Sequence, residues 1–103
     1  MNLYLDDART PKQDNLHIVR TYDDCIYMIE NNGIDFLSLD HDLAEEKTGY
    51  DVAKYLVQEE IEIPHINIHS ANPVGKMNIK QLINRYFPNT KATLFWLPCG
   101  TDE

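Results

Sequence analysis

Cationic side chains are scarce in this chain: nine Lys and Arg stand against 17 Asp and Glu among 103 residues, a net charge of −8. An extended nucleic-acid groove needs clustered cations to replace the counterions of the phosphates it meets, so that class of partner is excluded. A small anion, or the end of a strand, stays open because one or two cations and a metal suffice for it. Cysteine is nearly missing too. Cys25 and Cys99 are too few for a disulfide framework and lack metal-ligand spacing, which predicts a reducing, cytoplasmic setting. No apolar run approaches the ~18 residues that cross a bilayer, and no charged segment followed by an apolar one opens the chain. A membrane partner is therefore not expected. Repeats, low-complexity tracts and linkers are absent as well, and with 43% hydrophobic residues the composition is that of an ordinary globular chain. Residues 1–103 read as one domain, long enough to bury a core.

What the chain does contain is short strands alternating with helices. "NLYLD" (2–6) alternates Leu3 and Leu5 with Asn2 and Tyr4, a strand pattern. The turn-rich "DARTPKQDN" (7–15) leaves no room for a stable helix before "HIVR" (17–20), a second strand. Thr21 predicts an N-cap with Asp24 three residues on, an acidic variant of the capping box. That helix is expected to run to Asn32 and to stop at a left-handed Gly33. "IDFLSLD" (34–40) is strand three, and after the polar loop "HDLAEEKTG" Val52, Ala53, Leu56 and Val57 recur at helical spacing. "HINIHS" (65–70) is strand four. Asn72 caps a helix with Pro73 at its first position and Ile79, Leu82, Ile83 and Tyr86 as its apolar stripe. "ATLFWL" (92–97) is strand five.

Such alternation implies an α/β domain with a mostly parallel sheet. Parallel strands covered on both faces read as continuous apolar runs, and three of these do not. Leu3, Leu5, Leu37, Leu39, Ile66 and Ile68 share one parity; Asn2, Tyr4, Phe36, Ser38, His65 and Asn67 share the other. One face is apolar and takes three helices. The mixed face is expected to lack helical cover, and either faces solvent or meets a second copy through Tyr4, Phe36 and Phe95.

Ligands of open α/β sheets sit outside the carboxyl ends of the strands. Those ends carry Asp6 and Asp7; Asp40, His41 and Asp42; and His69, Ser70 and Asn72, with Arg9 close behind the first strand. Each has a structural alternative. Asp6 and Asp7 are good turn formers, Asp42 and Asp14 suit solvated loops, His69 suits a satisfied buried position, and Ser70 and Asn72 suit a turn and a cap. His17 and His65 sit at strand starts and are given no role. Their convergence on one rim from distant parts of the chain favours a site. Asp6, Asp7 and Asp40 suit octahedral Mg²⁺. His41 and His69 suit general acid and base work. Ser70, the start of the helix at Asn72 and Arg9 suit an anion. Acids, histidines and an anion cradle together indicate phosphoester chemistry.

The double Asp after strand one, Asp40, Gly49 nine residues further on, Ser70 and Ala71, and Leu97 and Pro98 resemble the receiver domain of two-component signalling. That resemblance implies a flavodoxin-like strand order 2-1-3-4-5, reduced because no helix fits between strands one and two or after strand five. Leu97 replaces the family's Lys. "LYLDDARTP", "SLDHDL", "TGYDV" and "IHSANPVG" are more closely similar to the receiver-related family named for cyclic-phosphate processing, over nearly the whole chain. The resemblance puts Asp6, Asp7, Arg9, Asp40, His41, Asp42, Thr48, Gly49, His69, Ser70 and Asn72 in the site, with Gly49 serving the backbone.

The expected function is a phosphoric ester hydrolase acting on a cyclic phosphate of a nucleotide or RNA end, in the setting of RNA repair. His41, His69 and Asp40 are its expected catalytic residues. Arg9, Thr48, Ser70 and Asn72 are expected to bind substrate, and Asp6, Asp7, Asp40 and Asp42 to bind Mg²⁺ or Mn²⁺. The rival is a non-catalytic receiver that binds a phosphorylated ligand or partner. A phosphorylation switch on Asp40 is a third reading, opposed by Leu97 in place of the Lys.

Overall fold

The alternating leucines of the first segment form strand β1 (Asn2–Leu5), parallel to β2 (His17–Val19) on one side and to β3 (Phe36–Leu39) on the other. Strands β4 (His65–Ile68) and β5 (Lys91–Thr93) complete a five-stranded parallel sheet of order β2-β1-β3-β4-β5, the receiver-like arrangement. Helices α1 (Tyr22–Asn31), α2 (Gly49–Gln58) and α3 (Pro73–Tyr86) connect the later strands. The computed structural model describes residues 1–99; the last four residues of the expected 1–103 domain lie outside the described residues. No helix among the described residues is long and apolar enough to cross a membrane.

Register turns strand parity into layers. Leu3, Leu37 and Ile66 lie side by side, as do Leu5, Leu39 and Ile68 one pleat further on. All six are fully buried, in one cluster with Cys25 and Ile29 of α1, Val52 and Leu56 of α2, and Ile79 and Ile83 of α3. Burying each such aliphatic side chain contributes about 1.5–3 kcal/mol relative to exposure. The three helices therefore share the apolar face. At α3, Asn72 Oδ1 accepts from Gly75 N at 2.9 Å and Pro73 begins the helix, as the sequence predicts. Tyr86 departs from the expected stripe: it is exposed, and Phe87 beyond the helix end is buried instead.

The mixed face differs from expectation. Tyr4, Ser38 and Asn67 on it are fully buried, yet no helix covers them. Their cover is the chain itself. Residues 6–16 link β1 to β2 without a helix, and residues 94–99 turn back across the sheet. The two segments meet where Lys12 N donates to Pro98 O at 2.8 Å and Pro11 pairs with Cys99 in an antiparallel bridge. That strap truncates the expected strand over 92–97. Asn67 Nδ2 donates to Phe95 O (2.8 Å) and Asn67 Oδ1 accepts from Phe95 N (3.0 Å), so one side-chain amide satisfies both backbone groups that a longer β5 would pair. The strap and the β1–β2 segment thus cover Tyr4, Ser38 and Asn67, while Asn2, Phe36 and His65 on the same face stay half-buried and Phe95 is exposed.

Gly33 is a further correction. No glycine among the described residues has positive φ, and the residue after α1, Asn32, is extended at φ −145°. At the helix end, Asn31 Nδ2 and Asn32 Nδ2 donate to Tyr27 O and Met28 O, so side-chain amides cap carbonyls of the last turn in place of a left-handed glycine.

Candidate functional site

Strands β1, β3 and β4 end side by side, and the residues after them line a cleft of about 500 Å³ bounded by Asp7, Ala8, Arg9, Asp40, Asp42, Ala44 and Ala71. Asp6 lies at its base, fully buried. Its Oδ1 accepts from Ala8 N (2.9 Å) and Arg9 N (2.8 Å), and its Oδ2 from Arg9 Nη1 (3.1 Å) and His69 Nε2 (3.2 Å). Four donors fill the lone-pair positions of one carboxylate. Burial pushes its pKa up, but the bonds from His69, from the two backbone N–H groups and from Arg9 outweigh it and hold the carboxyl well below its ordinary value.

Asp40 is nearly as buried but poorly supplied. Arg9 Nη1 stands 3.7 Å from its Oδ2. Burial, with the Asp6 charge beside it, pushes Asp40 up to about 6 against the opposing pull of His69 and Arg9.

His41 and Asp42 form a dyad. Nδ1 of His41 lies 2.8 Å from Oδ1 of Asp42, to which Asn72 Nδ2 also donates at 3.4 Å. The bond from His41, seconded by that from Asn72, holds the Asp42 pKa below its ordinary value against slight burial. With Nδ1 donating to a carboxylate, Nε2 is the acceptor nitrogen whenever the ring is neutral. Gly75 of α3 makes room for the imidazole: a Cβ there would lie 2.5 Å from His41 Cγ.

His69 sits behind Asp6 and away from the cleft lining. It is 1% exposed, and both ring nitrogens are bonded, Nε2 to Asp6 and Nδ1 to Ser38 Oγ at 2.6 Å. Asn67 Nδ2 donates to Ser38 Oγ at 3.1 Å, so the hydroxyl bridges Asn67 and Nδ1 of His69. Tyr4 stacks on the imidazole at 4.4 Å. Ser70 is buried with Oγ accepting from Asn72 N at 3.1 Å, which takes up the backbone donor expected for an anion. Thr48 caps α2: its N and Oγ1 donate to Asp51 Oδ2, and it does not line the cleft.

Gly49 serves packing, as its backbone role requires. Its N donates to His41 O at 2.8 Å, and a Cβ there would collide with Asp40 O. Gly49→Ala is therefore expected to cost about 2 kcal/mol or more, whereas Gly33→Ala, with nothing within 4 Å of the added carbon, should change stability by about 0.5 kcal/mol or less. Urea unfolding of the two variants makes the comparison; equal losses would contradict it.

Oxygens of Asp6, Asp7 and Asp40 come within 4.8 Å of one another. Three carboxylates are a hard donor set suited to Mg²⁺ or Mn²⁺. Asp7, which is exposed, and Asp40 fit that role; Asp6 has its lone pairs filled. Asp42 stands outside this cluster, engaged with His41 and Asn72. Sequence reasoning missed Arg20, whose Nη1 donates to Asp6 O and Arg9 O at 3.1 and 2.6 Å and whose Nη2 donates to Thr10 Oγ1 at 2.8 Å. Its signal was a lone cation at the end of "HIVR", next to an acidic loop. Ser38 and Asn67 were missed as well, their polarity on an inward-facing strand parity being the only clue.

The sequence model of the cyclic-phosphate processing receiver domain matches residues 1–85. The chain belongs to this family. No curated protein and no solved structure matches it significantly. The matched residues of this receiver domain include every strand end that lines the cleft, while β5 and the strap of residues 94–99 lie beyond them.

Proposed function

We propose that the chain hydrolyses a cyclic phosphate, such as the 2′,3′-cyclic phosphate of an RNA end or a nucleotide. The observation that carries the reading is the 2.8 Å contact of His41 Nδ1 with Asp42 Oδ1 beside the cleft that Arg9 lines. Asp42 orients the imidazole and stabilises it once charged, so Nε2 takes a proton from water as the water oxygen attacks phosphorus. The bond from phosphorus to one ribose oxygen breaks, that oxygen takes a proton from solvent water to leave a monoester, and Nε2 of His41 returns its proton to solvent.

Arg9 serves the phosphoryl group. Its Nη1 is engaged with Asp6, while Nε and Nη2 have no bonded partner among the described residues and are free to donate to phosphoryl oxygens. Asp7 and Asp40 would hold Mg²⁺ or Mn²⁺, which would add positive charge for the phosphate in a cleft whose charged lining is three carboxylates and Arg9. His69 is a positioning residue in this scheme, holding Asp6 and through it Arg9. Both cysteines are free, which suits a cytoplasmic protein acting on RNA ends left by cleavage.

The test is turnover of nucleoside 2′,3′-cyclic phosphates with and without Mg²⁺ or Mn²⁺. His41→Ala is expected to lower kcat by about 10²–10⁴-fold, and wild-type turnover in that variant would sink the scheme. A second reading is favoured by the cleft lining, which includes neither histidine: both nitrogens of His69 are engaged, and His41 stands beside the cleft. In it the domain binds a phosphorylated ligand without turnover. Calorimetric binding of a cyclic phosphate with no product after long incubation would select this reading.

A further inference from the structure

Trp96 is the chain's sole tryptophan. It is 46% exposed. It cannot withdraw, because the strap is pinned on both sides: Phe95 by the Asn67 amide, and Pro98 by Lys12 N at 2.8 Å. One edge rests against His69, with ring centroids 5.8 Å apart at 60°. The guanidinium of Arg9 lies over the indole, 4.8 Å from its centroid. Arg9 is itself a wall of the cleft and bonded to Asp6. An aromatic surface held open to solvent thus touches the one cation that lines the cleft among the described residues.

We propose that Trp96, together with the guanidinium stacked on it, is a platform for a nucleobase, so that the cleft takes a nucleoside cyclic phosphate in preference to a cyclic phosphate without a base. This rests on the cyclic-phosphate reading above and adds the part of the ligand it recognises. Indole and guanidinium planes are the surfaces on which unstacked bases lie, and every base offers a π-face to them. A phosphate held by the free nitrogens of Arg9 leaves its base one sugar away, beside the indole that Arg9 already contacts. Such stacking contributes about 1–3 kcal/mol per base. Trp96 lies outside residues 1–85, so this selectivity would belong to the strap of this chain.

Full-length protein is titrated by calorimetry with adenosine 2′,3′-cyclic phosphate and with 1-O-methylribose 2,3-cyclic phosphate, which lacks a base. The wild type should prefer the adenosine compound, and Trp96→Ala should shrink that preference by about 5- to 150-fold, the stacking range converted at tenfold per 1.4 kcal/mol. Trp96→Phe, which keeps an aromatic face, should retain most of it. Wild-type tryptophan fluorescence should be quenched by the adenosine compound and not by the baseless one. Equal affinity of the wild type for the two ligands, or an unchanged preference in a folded Trp96→Ala, overturns the platform alone. Failure of the wild type to bind either ligand overturns the cyclic-phosphate reading and the platform with it.

Discussion

Asp6→Asn is expected to cost the folded chain about 3–5 kcal/mol, enough to unfold much of it at moderate temperature. Asp6 is fully buried and accepts from two backbone N–H groups on Oδ1 and from Arg9 and His69 on Oδ2. Asparagine offers one oxygen. Whichever way the amide turns, its NH₂ faces either the N–H pair of Ala8 and Arg9 or the donors of Arg9 and His69. Buried donors then stand against donors, and the Arg9 charge loses its closest counter-ion. The effect carries a pH signature. Because the Asp6 carboxyl is held below its ordinary value, its contribution is present above the unfolded pKa near 4 and is lost as pH falls towards the folded one. Urea unfolding from pH 7 down to pH 3 should show a steep acid loss in the wild type and a shallower one in Asp6→Asn. A loss under about 1 kcal/mol at pH 7 would mean that the four-donor arrangement is not what holds the loop.

Its neighbour should respond in the opposite sense. Asp40→Asn is expected to stabilise the fold at pH 7 by about 1–3 kcal/mol while weakening any cyclic-phosphate processing. Asp40 is pushed up to about 6 by burial and by the Asp6 charge. A carboxyl whose folded pKa exceeds its unfolded value binds its proton more tightly in the folded chain. Stability is therefore greatest below the unfolded value near 4 and falls as pH rises to about 6, after which the cost is constant. Asparagine removes that cost, which is already net of the attraction of Arg9 at 3.7 Å. Urea unfolding in chelator at pH 4 and pH 7 should show the variant gaining on the wild type only at the higher pH. A variant less stable than wild type at pH 7 would contradict the argument. Two adjacent buried aspartates with opposite effects would mark one as the scaffold of the site and the other as a strained group retained for its chemistry.

Strand parity and chain order carry most of the fold. Leu3 and Leu5, Leu37 and Leu39, and Ile66 and Ile68 point to one face because side chains alternate along a strand, and the structure packs α1, α2 and α3 there. The caps at Thr21 and Asn72 were equally local: each side chain accepts from a backbone N–H three residues on. The rim was legible too, since residues just past β1, β3 and β4 meet wherever parallel strands end together. What each rim residue bonds to was not. His69 and Asp6 are 63 positions apart and His69 and Ser38 are 31, so no local pattern records that both ring nitrogens are satisfied.

The strap shows the same limit more sharply. "ATLFWL" is composed like a strand, and by propensity it is one. It leaves the sheet after Thr93 because Asn67, 28 residues away, offers Phe95 a side-chain amide in place of a neighbouring strand. The sequence by itself determined the elements, the apolar face and the residues brought to the cleft, because these depend on spacing along the chain. Only the tertiary structure decided that His69 supports Asp6, that Asp42 holds His41, that Tyr4, Ser38 and Asn67 of the mixed face are covered by the chain's own strap, and that Trp96 stands beside Arg9. Those outcomes depend on which donors reach which acceptors across the fold, where one buried hydrogen bond outweighs a local preference.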